Sequence, residues 1–225
     1  MELRPITVEE EIKIILKELG IPTSSKGYLY LADAIALTVD RFEAAEEGIY
    51  AVLAEKHHTT EQSVASAITR AINKMADCGD IDLINSYFGN TVWNKRGKPT
   101  AGEFITMIAD HVKMKAENDP LKLRLTKLMH TLGIPADLKG YHYLRDLLLL
   151  AVADPDGIDS AVSSVAEAHK TTDAAVKTAI GKAIDLSWER GDAYLLHAYF
   201  GYTVYDSLKK PSLTEFVSVI VAEME

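Results

Sequence analysis

Two stretches of the chain carry side chains suited to gripping nucleic acid. In the first, Gln62, Ser63, Ser66, Thr69, Arg70 and Lys74 recur at the three- and four-residue steps that share one side of a helix. Amides and hydroxyls donate and accept hydrogen bonds to base edges, and a guanidinium or ammonium binds phosphate or the acceptor edge of guanine. In the second, Lys177, Thr178 and Lys182 offer the same chemistry. Ahead of these stretches stand His57, His58 and Thr60, and Thr172, in short polar turns that are candidates for phosphate contact and otherwise read as solvated turns. Lys26 and Lys139 each precede a Gly-Tyr pair and are further phosphate candidates. Other chemistries lack their residues. There is no Cys/His set with zinc spacing, no His-Glu-x-x-His, no glycine-rich phosphate loop and no local Ser/His/Asp signature. Neither an enzyme, a metal, a cofactor nor a small-molecule substrate is expected.

The elements that must position these residues are helices. A short helix over 48–56, a turn at 57–60 and a longer helix over 61–77 have the layout of a helix-turn-helix, whose second helix enters the major groove. Within it Val64, Ala67, Ile68, Ala71 and Ile72 form a stripe that must face a core, and Val176, Ala179, Ile180, Ala183 and Ile184 form its twin. The residues between are left for solvent. Thr59 or Thr60 caps the long helix, with Gln62 placed to complete a box from Thr59. Further helices are predicted over 8–19, 27–39, 121–132, 140–152 and 158–169, with Gly20, Gly79, Gly133 and Gly191 as C′ residues. A short helix ends at Phe88-Gly89 and at Phe200-Gly201, and capping boxes at Thr100–Glu103 and Ser212–Glu215 open the last helix of each half. The tyrosine pairs Tyr28/Tyr30 and Tyr141/Tyr143 read as packing. Asp154-Pro155-Asp156-Gly157 reads as a turn, since the ligand spacing of a calcium loop is missing. No run alternates as a strand does, so the expected fold is all-α with six helices per half.

The halves are copies. Gly20-Ile21-Pro22 returns at Gly133-Ile134-Pro135, and Lys26-Gly27-Tyr28 at Lys139-Gly140-Tyr141, both 113 residues on. After a one-residue deletion, Tyr87-Phe88-Gly89 returns at Tyr199-Phe200-Gly201 and Lys98-Pro99 at Lys210-Pro211, 112 residues on. A slip of one residue over that length means duplication of a domain, not a short-period solenoid. Domains over 1–115 and 116–225 follow, with residues 113–120 as a polar linker.

At 225 residues, two units of this size suit single domains. The longest uncharged apolar run, 147–153, is too short to span a bilayer. The N-terminus lacks the apolar core of a signal peptide, and the lone Cys78 excludes an internal disulfide, so a cytoplasmic protein is expected. Net charge is −9. It divides as −5 over 1–118 (13 Lys/Arg against 18 Asp/Glu) and −4 over 119–225 (11 against 15). Neither half has the basic balance of a strong nucleic-acid binder, although a local basic face can exist on an acidic protein.

Leu-Gly-Ile-Pro, Lys-Gly-Tyr-x-Tyr-Leu, Thr-Thr and Val-x-x-Ala-Ile-x-x-Ala-Ile recur in both copies, and residues 183–192 and 200–204 extend the set. In these strings the chain resembles the C-terminal effector domain of stage-zero sporulation protein A, a response regulator of endospore formation. The resemblance implies a six-helix domain with a helix-turn-helix that binds a short DNA element, and family domains act in tandem on DNA. The family's long helix typically shows Arg-Val-Glu-Arg-Ala-Ile-Arg-His-Ala-Ile. Here positions 63–72 keep every buried residue and replace all three arginines with uncharged side chains, and so do positions 175–184. Arg70 and Lys182 fall at the family's histidine and Lys177 at its glutamate.

One bidentate arginine–guanine contact discriminates by about 1–3 kcal/mol. Losing two per helix is comparable to the ~4–10 kcal/mol that separates specific from non-specific binding. Two readings stand. The first is a tandem helix-turn-helix regulator with altered or weakened sequence recognition, joined so that one bound domain concentrates the other. The second is a helical module that has lost DNA and uses its small, uncharged helix faces for a protein partner or for itself.

Overall fold

A computed structural model of the chain describes residues 6–40, 48–88, 98–117, 119–201 and 210–224. Among them are twelve helices and no strand. The chain falls into two compact units, Met1–Asp119 and Pro120–Glu225. The first unit contains α1 (Val8–Glu18), α2 (Lys26–Asp40), α3 (Ile49–Lys56), α4 (Glu61–Cys78), α5 (Ile81–Phe88) and α6 (Ala101–Glu117). The second contains α7 (Pro120–Thr131), α8 (Lys139–Ala153), α9 (Ile158–Ala168), α10 (Asp173–Arg190), α11 (Ala193–Phe200) and α12 (Leu213–Ala222). The polar stretch expected as a linker is instead helical as far as Glu117, and Pro120 opens α7, where a missing N–H costs nothing.

Local chemistry starts and stops these helices. Thr7 and Ser212 form capping boxes with Glu10 and Glu215, and Thr100 and Glu103 bond reciprocally at 2.8 and 3.1 Å. Gly20 and Gly133 end α1 and α7 at φ 78° and 74°. There Ile21 and Ile134 donate backward to Leu16 and Met129 at 3.0 and 3.1 Å, closing Schellman turns. Gly79 and Gly191 behave differently from expectation: both are extended, at φ −79° and −65°. Their glycine requirement is steric. A Cβ at Gly79 meets the Met75 carbonyl at 2.6 Å, and one at Gly191 meets the Ser187 carbonyl at 2.5 Å. The glycine expected to end the short helix, Gly89, and the string Tyr202–Val204 lie outside the described residues.

In each unit one helix is the hub. α2 packs on α1, α3, α4 and α6, and α8 packs on α7, α9, α10 and α12. Around them lie Leu16, Leu31, Ile35, Leu53, Ile68 and Phe104 in one unit, and Leu144, Leu148, Val162, Ile180 and Phe216 in the other, all buried. Each such side chain is worth about 1.5–3 kcal/mol in surface taken from water. The hub meets the long helix closely. A Cβ at Gly27 overlaps the Ala67 carbonyl, and one at Gly140 overlaps the Ala179 carbonyl. Glycine in the Lys-Gly-Tyr string is therefore a spacer between α2 and α4, and between α8 and α10.

Candidate nucleic-acid interface

The turn between α3 and α4 is a Schellman turn built without glycine. His58 sits at φ 50°, its N–H donates to the Glu55 carbonyl at 3.2 Å, and Thr59 N–H reaches back to Ala54 at 2.9 Å. Lys170 repeats this in the second unit at φ 51°, with Lys170 to Glu167 at 3.1 Å and Thr171 to Ala166 at 2.8 Å. Thr60 then caps α4 by accepting from Ser63 N–H at 3.2 Å, and Thr172 caps α10 by accepting from Ala175 N–H at 3.2 Å. The box expected from Thr59 and Gln62 does not form, because Thr60, one residue later, holds the N-cap position.

The long helices bury the faces that their periodicity requires. Val64, Ala67, Ile68, Ala71, Ile72 and also Met75 are buried on α4. On α10, Val176, Ile180, Ala183 and Ile184 are buried, Ala179 is only half-buried, and Ser187 joins them by donating to the Leu132 carbonyl at 2.5 Å. Gln62, Ser63, Thr69, Arg70 and Lys74 are exposed along α4, while Ser66 is half-buried. Lys177, Thr178 and Lys182 are exposed on α10. Helical spacing sets Arg70 and Lys74 on the edge of α4 beside Ala67 and Ala71, the two residues that Gly27 abuts. Lys26, exposed at the start of α2, stands one residue ahead of Gly27. Lys139 is likewise exposed ahead of Gly140.

Other candidates have partners of their own. His57 is half-buried, with its Nε2 at 2.6 Å from Asp33 and its ring 4.8 Å from that of Tyr30. Asp33 also holds Lys56 at 2.9 Å. Lys177 Nζ lies 3.0 Å from Asp159. The hydroxyl of Thr60 is shared with Ser63 at 2.9 Å. His58 remains exposed in the turn, as do Thr60 and Thr172.

The second unit rebuilds the histidine arrangement that the sequence reading passed over. His169 Nε2 lies 2.8 Å from Asp146, and its ring 4.8 Å from that of Tyr143. The Tyr-His-Asp set ties the turn to the hub helix in both units. Its signal was present: Tyr30, Asp33 and His57 recur at Tyr143, Asp146 and His169, within the same offsets as the rest of the repeat. Nearby, burial holds the His142 imidazole down to about 3, helped by the charges of Arg145 and His169. That ring is a neutral packing group at physiological pH.

The class is now defined: each unit is an all-α domain presenting a helix-turn-helix whose second helix exposes a polar face beside the hub helix. The family model for the C-terminal domain of sporulation initiation factor Spo0A matches the chain twice, over residues 12–112 and 125–224. The chain belongs to that family, in tandem. It is a family of DNA-binding helical domains linked to sporulation control, and not one of enzymes. Among the described residues no helix is long and apolar enough to cross a membrane.

Proposed function

We propose that the chain is a DNA-binding, transcription-regulator-like protein made of two fused effector-type domains, 1–115 and 116–225, with sequence recognition that is altered or weakened relative to its family. The observation that carries this reading is the state of α4. Its buried stripe is intact, and its outer face offers Gln62, Ser63, Thr69, Arg70 and Lys74. Neither Arg70 nor Lys74 pairs with a described acidic residue. Hydroxyls and amides give short-range contacts, and the two cations give attraction to phosphate. With no arginine at positions 63, 66 and 69, discrimination between sites falls more than affinity does.

A salt titration against random-sequence duplex DNA tests this. Binding that weakens steeply with salt, and little preference for the family's element over random sequence, is expected. Absence of binding at 50 mM salt would overturn it. The second reading, a partner-binding or self-associating module, is favoured by the acidic residues Glu61 and Asp173 that open α4 and α10 and by the internal pairing of Lys56 and Lys177. It predicts no DNA binding together with a concentration-dependent mass in sedimentation.

A further inference from the structure

The two long helices do not offer DNA the same charge. On α4 both Arg70 and Lys74 are exposed, and neither is held by a described carboxylate. On α10 the counterpart of Lys74 is Leu186, and only Lys182 remains at the counterpart of Arg70. Lys177, which stands where the first copy has Ala65, adds a cation within the first two turns of α10. That ammonium does not face outward alone. It reaches across to α9, 3.0 Å from Asp159 Oδ1. A second carboxylate lies at the same corner: Asp173, one turn ahead of Lys177 on α10, accepts from Ser163 Oγ of α9 at 2.7 Å.

A carboxylate on an ammonium does what a phosphate does, so Asp159 is an internal competitor for the ligand. Its side chain is 94% exposed, and that of Lys177 is 50% exposed. The pair is therefore open to solvent, and the charge it removes from the DNA-facing side is not locked in the core. We propose that Asp159 is a negative determinant of DNA affinity, holding Lys177 off the phosphates, so that Arg70 and Lys74 of the first copy carry most of the long-helix charge contact. This rests on the DNA reading above, and it makes the tandem unequal: one copy anchors and the other is restrained.

The test uses the full chain, a random-sequence duplex and salt from 50 to 200 mM, with the logarithmic salt slope as readout. Each phosphate contact contributes about 0.9 to that slope, or about a 3.5-fold change in affinity across this range. Asp159→Asn is expected to steepen the slope by about 0.9. Asp156→Asn, which removes the same charge from an exposed turn, is the control expected to leave the slope unchanged. Lys177→Gln alters the wild-type slope by less than half as much as Lys74→Gln does, and in the Asp159→Asn background it abolishes the gain. Equal effects of Asp159→Asn and Asp156→Asn overturn the proposal, as does a Lys177→Gln loss equal to that of Lys74→Gln. If the wild type fails to bind at 50 mM, the DNA reading itself fails. Circular dichroism of each variant verifies folding, which surface substitutions of this kind leave intact.

Discussion

His142 makes the stability of the second unit depend on pH in a direction and amount that can be worked out. Its Nδ1 is sealed from solvent, and the Arg145 guanidinium and His169 disfavour a further positive charge beside it. The folded ring takes up a proton only near pH 3, whereas an unfolded histidine does so at 6.5. Between these values the unfolded chain binds more protons, so stability is intact above about pH 6.5 and falls with acidification. Each unit of pH below 6.5 costs up to ~1.4 kcal/mol, giving a loss of up to about 2 kcal/mol at pH 5. Other groups titrate in the same range, and the comparison that isolates this one is His142→Leu, which installs the residue of the first copy, Leu29. Urea unfolding of both forms, followed by Trp188 fluorescence in a Trp93→Phe background, reads the difference. The wild type should lose ~2 kcal/mol against His142→Leu between pH 7 and pH 5. A difference that stays within about 0.5 kcal/mol across that interval refutes the reasoning, since one group with this shift must move it further.

Other substitutions separate packing from propensity. Gly140→Ala should destabilise by about 1–3 kcal/mol, because its Cβ meets the Ala179 carbonyl. Gly181→Ala, in open space inside α10, should stabilise by up to ~1 kcal/mol in the same urea titration. His58→Gly and Lys170→Gly relieve side chains held at φ 50° and 51°, and each should raise the thermal midpoint, by ~1 kcal/mol in stability. Thr60→Ala removes the cap of α4 and should cost ~1 kcal/mol, whereas Thr60→Ser, which keeps the accepting oxygen, should cost little.

Most of the fold was legible because helices announce themselves locally. The stripe from Val64 to Ile72, the boxes at Thr100 and Ser212, and the stops at Gly20 and Gly133 all rest on contacts within four or five residues. What escaped depends on which surface arrives from elsewhere. Nothing near Gly27 in sequence reveals that the Ala67 carbonyl lies against it. Gly79 looked like a left-handed stop and is an extended residue crowded by Met75 and Ile84. At the interface, periodicity exposed Lys177 and Arg70 alike, but choice of partner separates them: Asp159, 18 residues upstream of Lys177, holds it, and no described carboxylate holds Arg70. His57 and Asp33, 24 residues apart, were visible only by asking which polar residues the two copies share.

The hub helix is pinned to the helix-turn-helix at two places, by the glycine contact near its start and by the aspartate–histidine pair further along. The long helix is held by the glycine contact, and the turn that leads into it by the histidine, so that under the DNA reading adjustment to a groove would fall to rotamers on the outer face or to movement of the unit as a block. Mechanically the design is a chassis. Both copies keep the mountings and differ in their outward side chains, so moving the first copy's face (Gln62, Ser63, Ser66, Thr69, Arg70, Lys74) onto α10 is the exchange that asks whether that face alone sets what the helix binds.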